Sequence, residues 1–116
     1  MSWRALLPQA ELPEGARRVV EVEAQSILLL QHQGRIHAVA ARCPHLGGRL
    51  DKGALTDDGG IVCPRHHSAF DLATGDVKAW SPWPPGVGAV LGAFRREHAL
   101  PVYPVRVQDG AIWVEL

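Results

Sequence analysis

Two short stretches, Cys43-Pro44-His45 and Cys63-Pro64-Arg65-His66, set the only two cysteines of the chain close to a histidine. One such pair is accounted for by free cysteine acting as a small buried hydrophobe, but the arrangement occurs twice. A thiolate is a soft donor, and imidazole suits zinc, iron and copper. Two such loops side by side therefore offer two sulfur and two nitrogen donors to an iron–sulfur cluster, to zinc or to copper. Ligand type alone leaves all three open. A disulfide between Cys43 and Cys63 is the competing use of the same residues, although the neighbouring histidines favour metal.

Spacing narrows the choice. Zinc knuckles usually take two like ligands from one turn and a second pair from elsewhere. Here each turn supplies an unlike pair. That layout suits a two-iron site in which the two cysteines hold one iron and the two histidines the other. Residues 46–62 separate His45 from Cys63 and contain a turn at Thr56-Asp57-Asp58-Gly59-Gly60, so the two pieces can fold back as loops at one end of a framework.

The framework is written in a period of two. Residues 17–23, RRVVEVE, and 26–33, SILLLQHQ, read as strands, and residues 26–41 form a hairpin turning at Gly34. At the C-terminal end, Val105 and Val107 alternate with Arg106 and Gln108, the chain turns at Asp109 and Gly110, and Ile112 and Val114 continue the pattern. Residues 88–100 have the composition of a short helix weakened by glycines. Many short strands with Gly and Pro turns predict an all-β barrel or sandwich.

Composition sets outer bounds. The chain has 116 residues, 47% of them hydrophobic, which is the size of one ordinary domain. Lys plus Arg and Asp plus Glu number 12 each, so no global charge points to nucleic acid or to an anionic membrane surface. The first residues are too short an apolar run, and too acidic at Glu11 and Glu14, for a secretory signal, and no run approaches the roughly 18 apolar residues of a membrane span. A cytoplasmic, soluble protein is the expectation.

With C-x-H, the intervening 17 residues (46–62), C-x-x-H and then SAFDLATGDV at 68–77, the chain resembles the Rieske [2Fe–2S] ferredoxin family of the soluble, oxygenase-serving kind. It is also similar to the Rieske-type small subunit of assimilatory nitrite reductases. The resemblance implies an all-β fold of antiparallel sheets with a small cluster-binding subdomain. It further implies one domain over residues 1–116, cluster loops at about 42–50 and 62–71, and a cover loop or insertion at about 80–99. Cys43 and Cys63 would hold the inner iron of a [2Fe–2S] cluster, and His45 and His66 the outer iron near solvent. His67, next in sequence, is set aside on family spacing, and His32, His37 and His98 read as ordinary surface or core residues.

Neutral imidazoles in place of two thiolates ease the addition of an electron. The family's potentials accordingly lie at about −150 to +300 mV, against about −400 mV for plant-type clusters. An imidazole N–H can also be lost, so the potential should fall as pH rises. Departures from the high-potential respiratory relatives place this chain lower in the range. Gly48 and Arg65 stand where those relatives carry a disulfide, and Phe70 stands where they carry a tyrosine hydroxyl. Ser68 keeps a hydroxyl donor toward a cluster sulfide. By the same resemblance Leu46 would shield the cluster and Pro82, with Pro84 and Pro85, would lie in the cover loop, ordinary turn packing being the equal alternative for both. The four tryptophans, Trp3, Trp80, Trp83 and Trp113, read as core or loop anchors, with a share in partner docking the second reading for Trp80 and Trp83, which flank that loop.

These readings imply a one-electron carrier without a catalytic domain of its own. It would take electrons from a flavoprotein reductase and deliver them to an oxygenase or another terminal enzyme. Arg42, Arg49, Lys52 and Arg65 would form a basic collar for an acidic partner. The alternatives are the nitrite reductase small subunit, recognised by co-purification with a large siroheme chain, and a colourless, zinc-stabilised β interaction domain.

Overall fold

Period-two segments and tight turns fold as short strands, and the computed structural model describes residues 2–43, 49–64, 68–79 and 99–116. Its strands are β1 (Trp3–Pro8), β2 (Arg17–Val22), β3 (Gln25–His32), β4 (Arg35–Ala40), β5 (Ala54–Leu55), β6 (Gly60–Val62), β7 (Ala69–Asp71), β8 (Val77–Ala79), β9 (Val102–Tyr103), β10 (Val105–Gln108) and β11 (Ala111–Glu115). They form three antiparallel sheets, ordered β1-β11-β10, β2-β3-β4-β9 and β5-β6-β7-β8. Among the described residues there is no α-helix, only single 3-10 turns at Gln9–Glu11 and Leu50–Lys52. Most of residues 88–100, read from composition as a short helix, lie outside the described residues.

The unbroken apolar run Ile27-Leu28-Leu29-Leu30 follows from the position of β3 in the middle sheet. All four side chains are fully buried. Ile27 and Leu29 pack with Leu12, Ala38, Ile112 and Val114 between the first and middle sheets. Leu28 and Leu30 pack on the other face with Val39, Leu50, Ile61, Phe70 and both cysteines. A strand covered on both faces loses the apolar and polar alternation that a half-exposed strand keeps. The chain thus has two cores, and the second contains the cysteines.

Three two-residue hairpins set the registers. Gln33-Gly34 joins the pair His32 and Arg35, and Asp109-Gly110 joins Gln108 and Ala111. Both central residues of each turn have positive φ, 54° and 77° in the first and 54° and 73° in the second, which is the type I′ geometry that matches strand twist. The third turn, Glu23-Ala24, adopts the same shape without a glycine, at φ 48° and 68°.

Two expectations shift at the first sheet. Val107 alternates as predicted but is 44% exposed, because β10 is an edge strand whose inner side is incompletely covered. Trp3 and Trp113 are only partly buried. The Arg106 guanidinium lies 4.4 Å from the Trp3 ring centroid, and the Trp113 indole N–H donates to the Gln108 carbonyl at 3.2 Å. They are surface anchors rather than members of either core.

Candidate metal centre

The middle sheet delivers Cys43 and the third sheet delivers Cys63. β4 ends at Ala40, and the chain beyond it is held by an antiparallel bridge between Arg42 and Arg49 and by donation from the Leu50 N–H to the Ala41 carbonyl at 2.9 Å. These contacts close the base of the first cysteine loop. The second base lies where β6 pairs with β7, Val62 opposite Ala69. One step further, the Cys63 N–H donates to the Ser68 carbonyl at 2.8 Å. Each cysteine therefore sits at the mouth of a short loop with a fixed stem.

Cys43 and Cys63 are 2% and 3% exposed and belong to the same apolar cluster. Neither is in a disulfide. The competing use as a bridge is absent here, and two thiols from distant positions are brought into one desolvated pocket wall. Among the described residues no group of three or more His, Cys, Asp or Glu gathers as a metal site. The sulfur half of the donor set thus fits an iron–sulfur group with its inner side in an apolar core. His45, His66, Leu46, Gly48 and Pro82 lie outside the described residues, as do Arg65, His67, His98, Trp80 and Trp83.

Ser68 is fully buried beside Cys63, and Phe70 is fully buried two residues further, opposite Ile61. A buried hydroxyl needs a polar partner, and the hairpin that closes on Cys63 fixes its place. Phe70 fills the same core with carbon. The two side chains singled out for tuning a cluster therefore lie on the wall that carries Cys63.

The loop stems are braced by residues whose part the sequence did not announce. Arg17 on β2 reaches across to the 3-10 turn that precedes β5, donating to the Asp51 carbonyl at 3.0 Å and the Gly53 carbonyl at 2.5 Å. Gly53 packs so closely that a Cβ there would collide with the Val62 and Leu50 carbonyl oxygens. Arg17 carries no local signal, because its partners lie 34 and 36 residues away, while the need for glycine at Gly53 depends on how β6 folds back over it. Arg49 donates through Nε and Nη2 to the Asp51 carboxylate at 3.1 and 2.9 Å, which holds that carboxyl below its ordinary value. His32 and His37 stay apart from the centre. The His32 Nε2 lies 3.0 Å from the Thr56 carbonyl oxygen, and burial, followed by the charges of His32 and Arg35, lowers the His37 pKa.

Comparison with known proteins bears on the same elements. A family model described as "Rieske [2Fe-2S] domain" matches residues 2–104. Apoptosis-inducing factor 3 of Mus musculus is 38% identical over 68 residues, 59% of this chain but 11% of that protein. The ferredoxin component of the alkene monooxygenase system of Xanthobacter autotrophicus (strain ATCC BAA-1158 / Py2) is 37% identical over 65 residues, 56% of this chain and 53% of that one. The matches thus span from about a tenth to about half of these relatives' own lengths. Among solved structures, the ferredoxin of carbazole 1,9a-dioxygenase from Nocardioides aromaticivorans IC177 shares the fold, with a TM-score of 0.76, 21% identity and coverage of 98% of this chain and 97% of that one.

Proposed function

The chain belongs to the Rieske [2Fe–2S] domain family, and from that premise we propose that it is a one-electron carrier that accepts electrons from a flavoprotein reductase and passes them to an oxygenase. The observation that carries this reading is the burial of Cys43 and Cys63 together at the mouths of two short loops, each continuing in sequence to a histidine. When bound, a Rieske cluster supplies one reversible electron at a potential set by its mixed ligands. In this reading Cys43, Cys63, His45 and His66 hold it.

The protein's own part is to hold the site and exclude water. The apolar wall of Leu50, Ile61 and Phe70 keeps water from the cysteine side, and the Arg42–Arg49 bridge and the Cys63–Ser68 hydrogen bond keep the loop mouths in place. Ser68, fully buried beside Cys63, would supply a hydroxyl donor to the sulfur of a bound cluster, which would favour the reduced state. A rigid surround lowers the reorganisation that accompanies electron transfer, because fixed dipoles need not turn as charge changes. The partner assignment is supported by the names of two similar proteins, each a ferredoxin of an oxygenase system. No helix among the described residues is long and apolar enough to cross a membrane. The reading places the carrier in the cytoplasm.

The test is reconstitution. The anaerobic protein is mixed with NADH and the flavoprotein reductase of a Rieske dioxygenase system, and then with the terminal oxygenase and its substrate. Bleaching of the visible bands followed by product formation that depends on this chain is the expected result. A protein that is neither reduced nor able to support turnover, or that purifies only in fixed proportion with a siroheme-containing chain, contradicts a free carrier.

A further inference from the structure

We propose that the cationic rim beside the first cysteine loop is the docking face for a redox partner that presents carboxylates; this deepens the carrier reading and rests on it. Arg42 and Arg49 stand directly opposite one another in the bridge that closes the loop, and both are exposed. Like charges facing across a ladder destabilise it. Both members of this closing pair are cationic, and Arg49 is also paired with the Asp51 carboxylate at 2.9 Å. Lys52 is exposed on the turn that follows, and Arg17 is pinned alongside by the Asp51 and Gly53 carbonyls.

Arg42 and Arg49 line one groove with Val19, Glu21 and Asp51. Its two acids are engaged: Asp51 accepts from Arg49, and Glu21 accepts from the Ser26 hydroxyl at 2.5 Å. Among the described residues this end carries Arg17, Arg42, Arg49 and Lys52 against Glu21 and Asp51, with Arg49 and Asp51 paired to each other. The opposite end carries the reverse balance. β6 and β7 run antiparallel, so the turns that begin at Thr56 and end at Asp76 lie away from the Cys63 loop. They are joined by donation from the Leu72 N–H to the Gly59 carbonyl at 2.9 Å. There Asp57, Asp58, Asp71 and Asp76 outnumber Lys78 and Arg35, with Lys78 paired to Asp58 at 2.8 Å.

A chain with no net charge cannot be steered by its total charge, but a polarised one is oriented as it approaches a partner. This polarity turns the cysteine loops toward an acidic surface and the acidic turns away from it. The partner's carboxylates meet Arg42, Arg49 and Lys52. Docking would then bring its redox group to the loop end.

The charge at the electron's exit is read with two outer-sphere oxidants, trianionic ferricyanide and tricationic hexaammineruthenium(III), each taking one electron from the reduced holoprotein in a stopped-flow experiment. The ferricyanide rate should fall with rising ionic strength and the ruthenium rate should rise. Lys52→Glu should move the ratio of the two rates about threefold toward the cation, and Arg49→Glu with Lys52→Glu about tenfold. Asp57→Lys, at the far turn, should leave the ratio unchanged. Redox titration of each variant checks that driving force is constant, and Lys52→Glu alone decides the matter if the double variant does not fold. Coloured protein whose rates ignore salt, or whose ratio ignores these substitutions, overturns the rim proposal alone. Colourless protein overturns the carrier reading and this one with it.

Discussion

Ser68 is a serine where the surrounding core is carbon, fully buried on the hairpin that closes over Cys63. If its hydroxyl favours the reduced cluster by about 1.5 to 2 kcal/mol, within the range for hydrogen bonds to charged groups, its loss lowers the potential by about 65 to 90 mV. Ser68→Ala should therefore keep the visible spectrum and shift the midpoint down by that amount in a redox titration. An unchanged midpoint assigns the hydroxyl to the backbone instead. Cys43→Ser and His66→Ala should behave differently, losing the visible bands and also lowering the thermal midpoint, since metal-binding energy is partly folding energy. Retained colour in either variant removes that residue from the ligand set.

At the level of elements, legibility followed how local each determinant is. The hairpins at Gly34 and Gly110 were readable because a type I′ turn wants glycine at a positive φ. The Glu23-Ala24 turn has the same geometry without the glycine, so β2 and β3 were legible as strands while the turn between them was not. β1 was missed because its apolar residues, cut short by Pro8, are only partly buried and do not alternate cleanly. The cysteine pairs stood out by spacing, and the structure brings Cys43 and Cys63 into one core. Arg17 was invisible because its partners are distant in sequence, and Gly53 because its close approach to Val62 exists only once β6 has folded back over it. Gly53→Ala should force the Val62 or Leu50 carbonyl to move, at a cost of about 1 to 3 kcal/mol, read as a lower urea midpoint. A midpoint equal to wild type would mean that the close approach carries no stability.

The described residues form three sheets around two cores, and carboxylates at their outer contacts make the fold acid-sensitive. The Glu14 carboxylate accepts from the Gly34 and Gln33 N–H groups, both at 2.8 Å, and these bonds hold its pKa below the ordinary 4.5. A carboxylate lowered in the folded state stabilises the fold above its unfolded pKa, and that contribution is lost as pH falls through the folded value. Asp51, Asp58 and Asp71 are lowered too and carry the same sign. Glu14→Gln should accordingly be less stable than wild type at about pH 6, with the difference vanishing as pH falls below 4.5 in parallel urea titrations. A difference that persists undiminished into acid would show that charge is not its source. The central claim is that one core holds two thiols so that, with two histidines, the loops carry a redox cluster. It is tested most directly by the iron and acid-labile sulfide content of anaerobically purified protein, with EPR spectra before and after reduction. The account predicts about two irons and two sulfides per chain and a Rieske-type signal that appears on reduction. Colourless protein holding a single zinc, even after cluster reconstitution, would contradict it.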